Sequence, residues 1–237
     1  MSINLTLVIP AHNEAESIRE TLAEIDSNVP ENVNLTVYVS EDGSRDNTRE
    51  IVSLAKQELS NCKIELSTLS ERLGYSLGVL KGIKNCRTNL IAFMDADGQC
   101  NPRDLFALLE TIEEGLIVIG YRHPRNDPKS RIAYSKLFNL AYRAFGGPKR
   151  KDPSSPMIVA TLSDIEFLNN TTPHLAFGFW WEFQMRTSKE GLKFAEFPVS
   201  HRVRAAGTTQ VYLPKKLPKI VWTHLVGLHK LRKEISN

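Results

Sequence analysis

The chain lacks any run of about 18 or more uncharged apolar residues, so no segment of its 237 residues is expected to span a bilayer. It also lacks a leader pattern. Met1 runs straight into Asn4-Leu-Thr-Leu-Val-Ile9-Pro10, with no basic start and no long apolar stretch. Cysteine is scarce: Cys62, Cys86 and Cys100 are odd in number and form no CxxC, so reduced thiols in a cytosolic protein are expected. Excess charge is missing as well. Against 27 acids the 30 basic residues leave +3, too little to argue for a nucleic-acid partner. There are no internal repeats or low-complexity linkers, and 41% hydrophobic with 24% charged residues excludes collagen, coiled coil and wholesale disorder.

What remains is a globular chain long enough for one large domain, or a domain with a small appendage. Its first half alternates between two hydrophobic periods. Short β-rich runs fall at Leu5–Ile9, Leu35–Val39, Ile64–Leu69, Leu90–Met94 and Leu116–Ile119. Helical faces lie between them: Ile18, Leu22 and Ile25; Ile51, Leu54, Ala55 and Leu59; Leu77, Leu80 and Ile83; Leu105, Leu108, Leu109 and Ile112. Strands alternating with helices predict an α/β fold, a mainly parallel sheet with both faces covered. Ligands of such sheets sit at the carboxyl ends of the strands. Pro10–Glu14, Ser40–Ser44 and Asp95–Gln99 are therefore expected at one edge.

The second half is less regular. A helix near Ser130–Phe145 stops at Gly146-Gly147-Pro148, and Lys149–Pro156 (KRKDPSSP) is a polar, proline-bearing loop. Phe177–Phe183 sets five aromatics around the single acid Glu182. From Pro218 to Ile235 one amphipathic helix is predicted, with Ile220, Val221, Leu225, Leu228 and Leu231 on one stripe. Basic charge concentrates here. Lys215, Lys216, Lys219, Lys230, Arg232 and Lys233 face one acid, Glu234, which points to a local partner.

Asp95-Ala-Asp97-Gly-Gln99 follows directly on an apolar strand. Two carboxylates and an amide oxygen at i, i+2 and i+4 suit a divalent cation that also holds a diphosphate, although an Asp-rich turn capping the next helix has the same form. Ser40-Glu41-Asp42-Gly43-Ser44-Arg45-Asp46-Asn47-Thr48 also follows a strand, and its glycine turn and caps would open a helix whatever the function. Capping does not account for two adjacent acids at the strand end, where like charges repel. Hydrogen bonds to a base N–H or a ribose hydroxyl would.

Val8-Ile-Pro-Ala-His-Asn-Glu14, Glu41-Asp42-Gly-Ser-Arg-Asp-Asn-Thr48, Gly74-Tyr-Ser-Leu-Gly-Val-Leu-Lys-Gly82 and Met94-Asp-Ala-Asp-Gly-Gln99 occur in this order. Together they resemble the family 2 inverting glycosyltransferases of the GT-A fold, within them the polyprenyl-phosphate (dolichyl-phosphate mannose synthase-like) branch. The likeness runs from about residue 4 to 122 and resumes around 196–209. It implies a GT-A domain over residues 1–213, with 214–237 as a basic amphipathic C-terminal helix. Pro10, Ala11, Asn13 and Glu14 would line the nucleotide pocket, with Asp42 on the base. Asp95, Asp97 and Gln99 would surround Mg2+ or Mn2+ at the diphosphate of a nucleotide-sugar. Gly120-Tyr-Arg122 resembles the Gly-Ser-Arg of the branch, and Arg131 and Ser135 match an Arg and Ser that grip acceptor phosphate there. His201-x-x-Arg204-x-x-Gly207-x-Thr209 resembles its late pattern, with Arg204 on phosphate. The family usually has two aspartates at Glu41-Asp42, and often a Lys at Gln210.

Several alternatives stay open at this stage. A hydroxyl acceptor needs a carboxylate base, for which Glu182 is the candidate, whereas a phosphate monoester is already anionic, its second pKa being about 6. Arg122, Arg131 and Arg204 favour the phosphate. Equally, Glu182 is explained as a helix acid beside core aromatics. The basic tail fits the anionic cytosolic face of a membrane, with Trp222 at headgroup level, while its stripe equally allows packing on the domain or in a homodimer. A non-catalytic nucleotide-sugar binder is the rival from another class, and the intact Asp95/Asp97/Gln99 set argues against it. A dinucleotide dehydrogenase is disfavoured because no GxGxxG follows the first strand.

Overall fold

A computed structural model describes residues 2–175, 178–203 and 217–236. Its strands are β1 (Ile3–Ala11), β2 (Val33–Glu41), β3 (Cys62–Thr68), β4 (Leu90–Phe93), β5 (Leu116–Arg122), β6 (Ile158–Thr161) and β7 (Lys193–Val199). They form one sheet in the order β3-β2-β1-β4-β6-β5-β7. All neighbours pair in parallel except β6, which is antiparallel to both β4 and β5. The helices are α1 (Ile18–Ser27), α2 (Thr48–Glu58), α3 (Tyr75–Asn85), α4 (Pro102–Leu109), α5 (Lys129–Ala144), α6 (Leu162–Ile165), α7 (Phe179–Lys189) and α8 (Leu217–Ser236). All five expected strands occur, and this is the mainly parallel, helix-flanked sheet of a GT-A fold. The sequence did not disclose β6, because its four residues follow a proline-bearing loop and are too few to show a period.

Strand alternation divides the core. Leu5, Leu7 and Ile9 of β1 join Val37, Val39 and Val118 in one apolar cluster, while Val8 joins Ile91, Phe93, Ile117 and Ile119 on the other face. The register sets Pro10 beside Ser40, Ala11 beside Glu41 and Val8 beside Phe93. The three motif loops therefore leave the sheet together. On α3, Gly82 permits the close approach this requires, since a Cβ there would lie 2.2 Å from Val8 Cγ1.

A third cluster joins Tyr142, Leu175, Trp181, Met185, Leu228 and Leu231, where α8 packs on α5 and α7. The α8 stripe is thus largely internal: Ile220, Leu228 and Leu231 are buried. The contact is centred on His224 and Gly227, so Val221 and Trp222 are left outside. A Cβ at Gly227 would meet the His174 carbonyl oxygen at 2.5 Å, so the helix seats closely only with glycine there. Among the described residues no helix is long and apolar enough to cross a membrane.

Candidate active site

The first two motifs interlock as β1 and β2 end. His12 Nδ1 lies 2.7 Å from the Asp42 carbonyl oxygen, an acceptor, so Nδ1 carries the proton and Nε2 accepts from Asn13 Nδ2 at 3.2 Å. Asn13, with φ of 55°, donates its backbone N–H to Ser44 Oγ and accepts from Arg45 N at 2.8 Å. Glu14 N donates to Thr48 Oγ1 at 2.9 Å. The adjacent acids have partners within the chain, which relieve the repulsion expected between them. Fully buried Glu41 takes Arg49 Nε at 2.5 Å and the Ser44 N–H. The two oxygens of buried Asp42 accept from Leu73 N at 2.6 Å and Gly74 N at 2.8 Å, tying the third motif to the second.

Beyond β4 the chain turns through Asp95, Asp97 and Gln99. Trp180 Nε1 donates to Tyr75 Oη at 2.8 Å, and Tyr75 Oη donates to Asp95 Oδ1 at 2.7 Å, so α7 and α3 orient the first carboxylate. Burial, and then the charge of Asp97, push Asp95 up to about 7. Asp97 Oδ1 accepts from Gln99 N at 3.1 Å. Gln99 Nε2 donates to the Arg202 carbonyl at 3.0 Å, which leaves the amide oxygen for a ligand. Among the described residues no three His, Cys, Asp or Glu side chains converge as a metal-ligand set. The donors are instead two crowded carboxylates and an amide oxygen. That set fits a hard divalent cation whose remaining positions belong to a diphosphate.

Arginines hold the other part of the pocket. Arg122, at the end of β5, donates Nε to Asp152 Oδ2 at 2.6 Å and Nη2 to Asp152 Oδ1 at 2.9 Å, a fork on a carboxylate from the 149–156 loop. Although burial opposes the charge on both, each holds the other ionised: Arg122 rises and Asp152 falls well below the usual carboxylate range. Asp127 pairs with Arg125 at 2.7 Å and with Arg131 Nη1 at 2.8 Å. Against the pull of burial, hydrogen bonds from Arg125 and the charge of Arg131 keep it ionised. Arg125 Nη1 also donates to Ser135 Oγ at 3.2 Å. His201 Nδ1 accepts from Asn126 N at 3.2 Å, placing its proton on Nε2, and burial with the nearby Arg122 lowers its pKa.

One pocket is lined by Asp95, Asp97, Gln99, Cys100, Arg122, Arg131, Pro156 and His201. The structure thus gathers Asp95, Asp97, Gln99, Arg122, Arg131 and His201 of the motifs read from the sequence, while Ser135 on α5 is tied to Arg125. Pro10, Ala11, Asn13 and Glu14 lie at the β1 end, where the Glu14 charge is felt at Asp95. Glu182 is not brought there. Its Oε1 takes Arg186 Nε at 2.9 Å and Nη2 at 2.7 Å, and its Oε2 takes the His174 and Leu175 N–H groups at 2.8 and 2.9 Å. A carboxylate so occupied is a structural anchor, which corrects its candidacy as a base. Arg204 lies outside the described residues. Sequence reasoning passed over Tyr75, Trp180, Arg125, Asp127 and Asp152. The dense charge of Arg125-Asn-Asp127 after Gly120-Tyr-Arg122 was the one available signal.

Residues 6–170 match the family model described as Glycosyl transferase family 2. The chain is 31% identical over 153 residues to an undecaprenyl-phosphate 4-deoxy-4-formamido-L-arabinose transferase of Shewanella sediminis, covering 62% of this chain and 45% of that one. It is 27% identical over 150 residues to the transferase of the same name from Pseudomonas savastanoi pv. phaseolicola, covering 62% and 44%. The chain therefore spans less than half the length of these relatives. In structure it is similar to glucosyl-3-phosphoglycerate synthase of Mycobacterium tuberculosis, solved with Mn2+, UDP and glucosyl-3-phosphoglycerate. The TM-score is 0.68 and the identity 18%, covering 96% of this chain and 80% of that one, a likeness of fold.

Proposed function

The chain belongs to glycosyl transferase family 2, and from that we propose that it moves a sugar from a nucleotide-sugar donor to a polyprenyl phosphate, with inversion at the anomeric carbon. The observation that carries this reading is the composition of one pocket, in which Asp95, Asp97 and Gln99 share the lining with Arg122 and Arg131. The acids suit a cation-bound diphosphate, and the arginines suit a second, separate phosphate. Relatives named for undecaprenyl phosphate support the acceptor class.

Pro10, Ala11, Asn13, Glu14 and Asp42 hold the nucleoside end of the donor. Asp95, Asp97 and Gln99 would hold Mg2+ or Mn2+, which when bound would supply positive charge at the departing diphosphate. Arg122 and Arg131, with Ser135 and Arg204, hold the acceptor phosphate so that one oxygen faces the anomeric carbon in line with the leaving group. That oxygen forms the new bond as the carbon–diphosphate bond breaks. Since a phosphate monoester near neutral pH is already largely ionised, no carboxylate base is required, in keeping with the occupied state of Glu182. The lipid acceptor sets the work at the cytosolic face of a membrane, with the protein peripheral to it.

The test is transfer by purified protein with Mn2+, using UDP-, GDP- and dTDP-sugars with and without a short polyprenyl phosphate. Nucleoside diphosphate release that needs the lipid, with an inverted product, supports the proposal. Metal-dependent donor hydrolysis indifferent to lipid removes the acceptor assignment. Absence of turnover with every donor leaves a binding protein.

A further inference from the structure

Each of the three cation donors is pinned at one atom and keeps one oxygen unengaged. Asp95 Oδ1 accepts from Tyr75 Oη at 2.7 Å, Asp97 Oδ1 accepts from the Gln99 N–H at 3.1 Å, and Gln99 Nε2 donates to the Arg202 carbonyl at 3.0 Å. Among the described residues nothing donates a hydrogen bond to Asp95 Oδ2, Asp97 Oδ2 or Gln99 Oε1. A cation entering the pocket therefore meets one oxygen from each side chain, and no carboxylate open at both. That limit separates two classes of hard cation. Ca2+ takes about six to eight oxygens and readily engages both oxygens of a carboxylate, whereas Mg2+ and Mn2+ are smaller and prefer about six single-oxygen ligands.

The pins at Asp97 and Gln99 are main-chain groups, so only the pin at Asp95 depends on a side chain. It is also directional. An indole N–H can only donate, so the 2.8 Å contact from Trp180 Nε1 fills an acceptor position on Tyr75 Oη and leaves the phenol proton for Asp95 Oδ1. Trp180 is buried, and Phe93 and Phe183 hold its ring edge-on at 5.1 and 5.6 Å. Neither Tyr75 nor Trp180 is part of the pocket lining, so the pair grips Asp95 from outside it. We propose that Tyr75 is a positioning residue that sets which cation the site takes. By closing Asp95 Oδ1 it confines this carboxylate to one-oxygen ligation and favours Mn2+ or Mg2+ over Ca2+, and Trp180 acts through it. Tyr75 has this role only if Asp95, Asp97 and Gln99 hold the cation of the proposed reaction.

The test titrates the full chain with MnCl2 and with CaCl2, no donor or acceptor being present. Mn2+ is followed by calorimetry and by loss of the free-ion EPR signal, and Ca2+ by calorimetry and by its displacement of Mn2+. Tyr75→Phe keeps the ring and removes only the hydroxyl. It should weaken Mn2+ about tenfold and leave Ca2+ nearly as in the parent, so that the preference for Mn2+ narrows about tenfold. Trp180→Phe should move both in the same direction by less. The double variant should bind like Tyr75→Phe alone, because Trp180 has no separate route to the cation. A loss shared equally by the two ions overturns the proposal. So do parental affinities in a Tyr75→Phe protein that merely melts lower, which would make the tyrosine a packing residue. Should Tyr75→Phe fail to fold, Trp180→Phe decides alone, and an unchanged ratio of affinities overturns the proposal. A parent that binds neither ion removes the cation from the proposed reaction, and the role of Tyr75 with it. Binding that is parental in every variant removes the role of Tyr75 alone.

Discussion

Arg131 and Glu182 carry opposite predictions, although both are charged groups eligible for the reaction on sequence alone. Arg131 lines the pocket and is partly exposed, and removing it leaves Asp127 with Arg125. Arg131→Ala should therefore lower kcat/KM for the lipid acceptor about 100-fold or more with little change in Tm. Glu182 is buried against Arg186, so Glu182→Gln leaves a buried cation short of its partner. It should cost on the order of 3 kcal/mol in thermal or urea unfolding, with turnover below the melt near the parent's. The reverse pattern would restore Glu182 as a base. Asp97→Asn should weaken Mn2+ binding about 100-fold by calorimetry. Asp95 and Asp97 were legible because two acids directly after an apolar strand have no need of each other. Asp152 was not legible, since it meets Arg122 across 30 residues and no local spacing records that contact. At Glu41 and Asp42 the sequence showed two adjacent acids in need of partners and pointed to a nucleotide for them. The partners in the structure, Arg49 and the Leu73 and Gly74 N–H groups, belong to other segments.

Elements in the first half were visible because each carries its period over enough residues: alternation in β1 and β2, a turn-spaced apolar face in α1 and α3. The two devices that complete the second half carry no such signal. The strand β6 is four residues long and runs against its neighbours, and α8 shows an apolar stripe without saying what covers it. The covering is α5 and α7, and Gly227 decides how close it comes. Gly227→Leu would drive a side chain into the His174 carbonyl and Leu175. It should cost about 1–3 kcal/mol as overpacking and expose α8 to limited proteolysis well below the global melt. A variant with an unchanged melt and an uncut α8 would show that the helix seats another way.

Across the whole molecule, the sheet register delivers charges of both signs to one edge, so stability should respond to pH from two sides. Asp127 and Asp152 are held below the ordinary carboxylate range by arginines, so the fold favours their ionised forms. Their contribution is complete above about pH 4 and is lost as acid protonates them. Asp95 works in the opposite sense. Raised to about 7, it is favoured protonated, so its contribution is complete below about pH 4 and disappears as pH rises through 7. The shift corresponds to no more than about 4 kcal/mol. The metal-free protein should therefore melt highest in mildly acidic buffer and lose stability towards pH 8. A divalent cation binds the ionised carboxylates, so Mn2+ should raise the melting point more at pH 8 than at pH 6. Thermal scans across this range with and without MnCl2 measure both effects. A metal-induced rise of equal size at the two pH values would mean that Asp95 is ionised throughout, and that the acids at the strand ends are already neutralised by the arginines beside them.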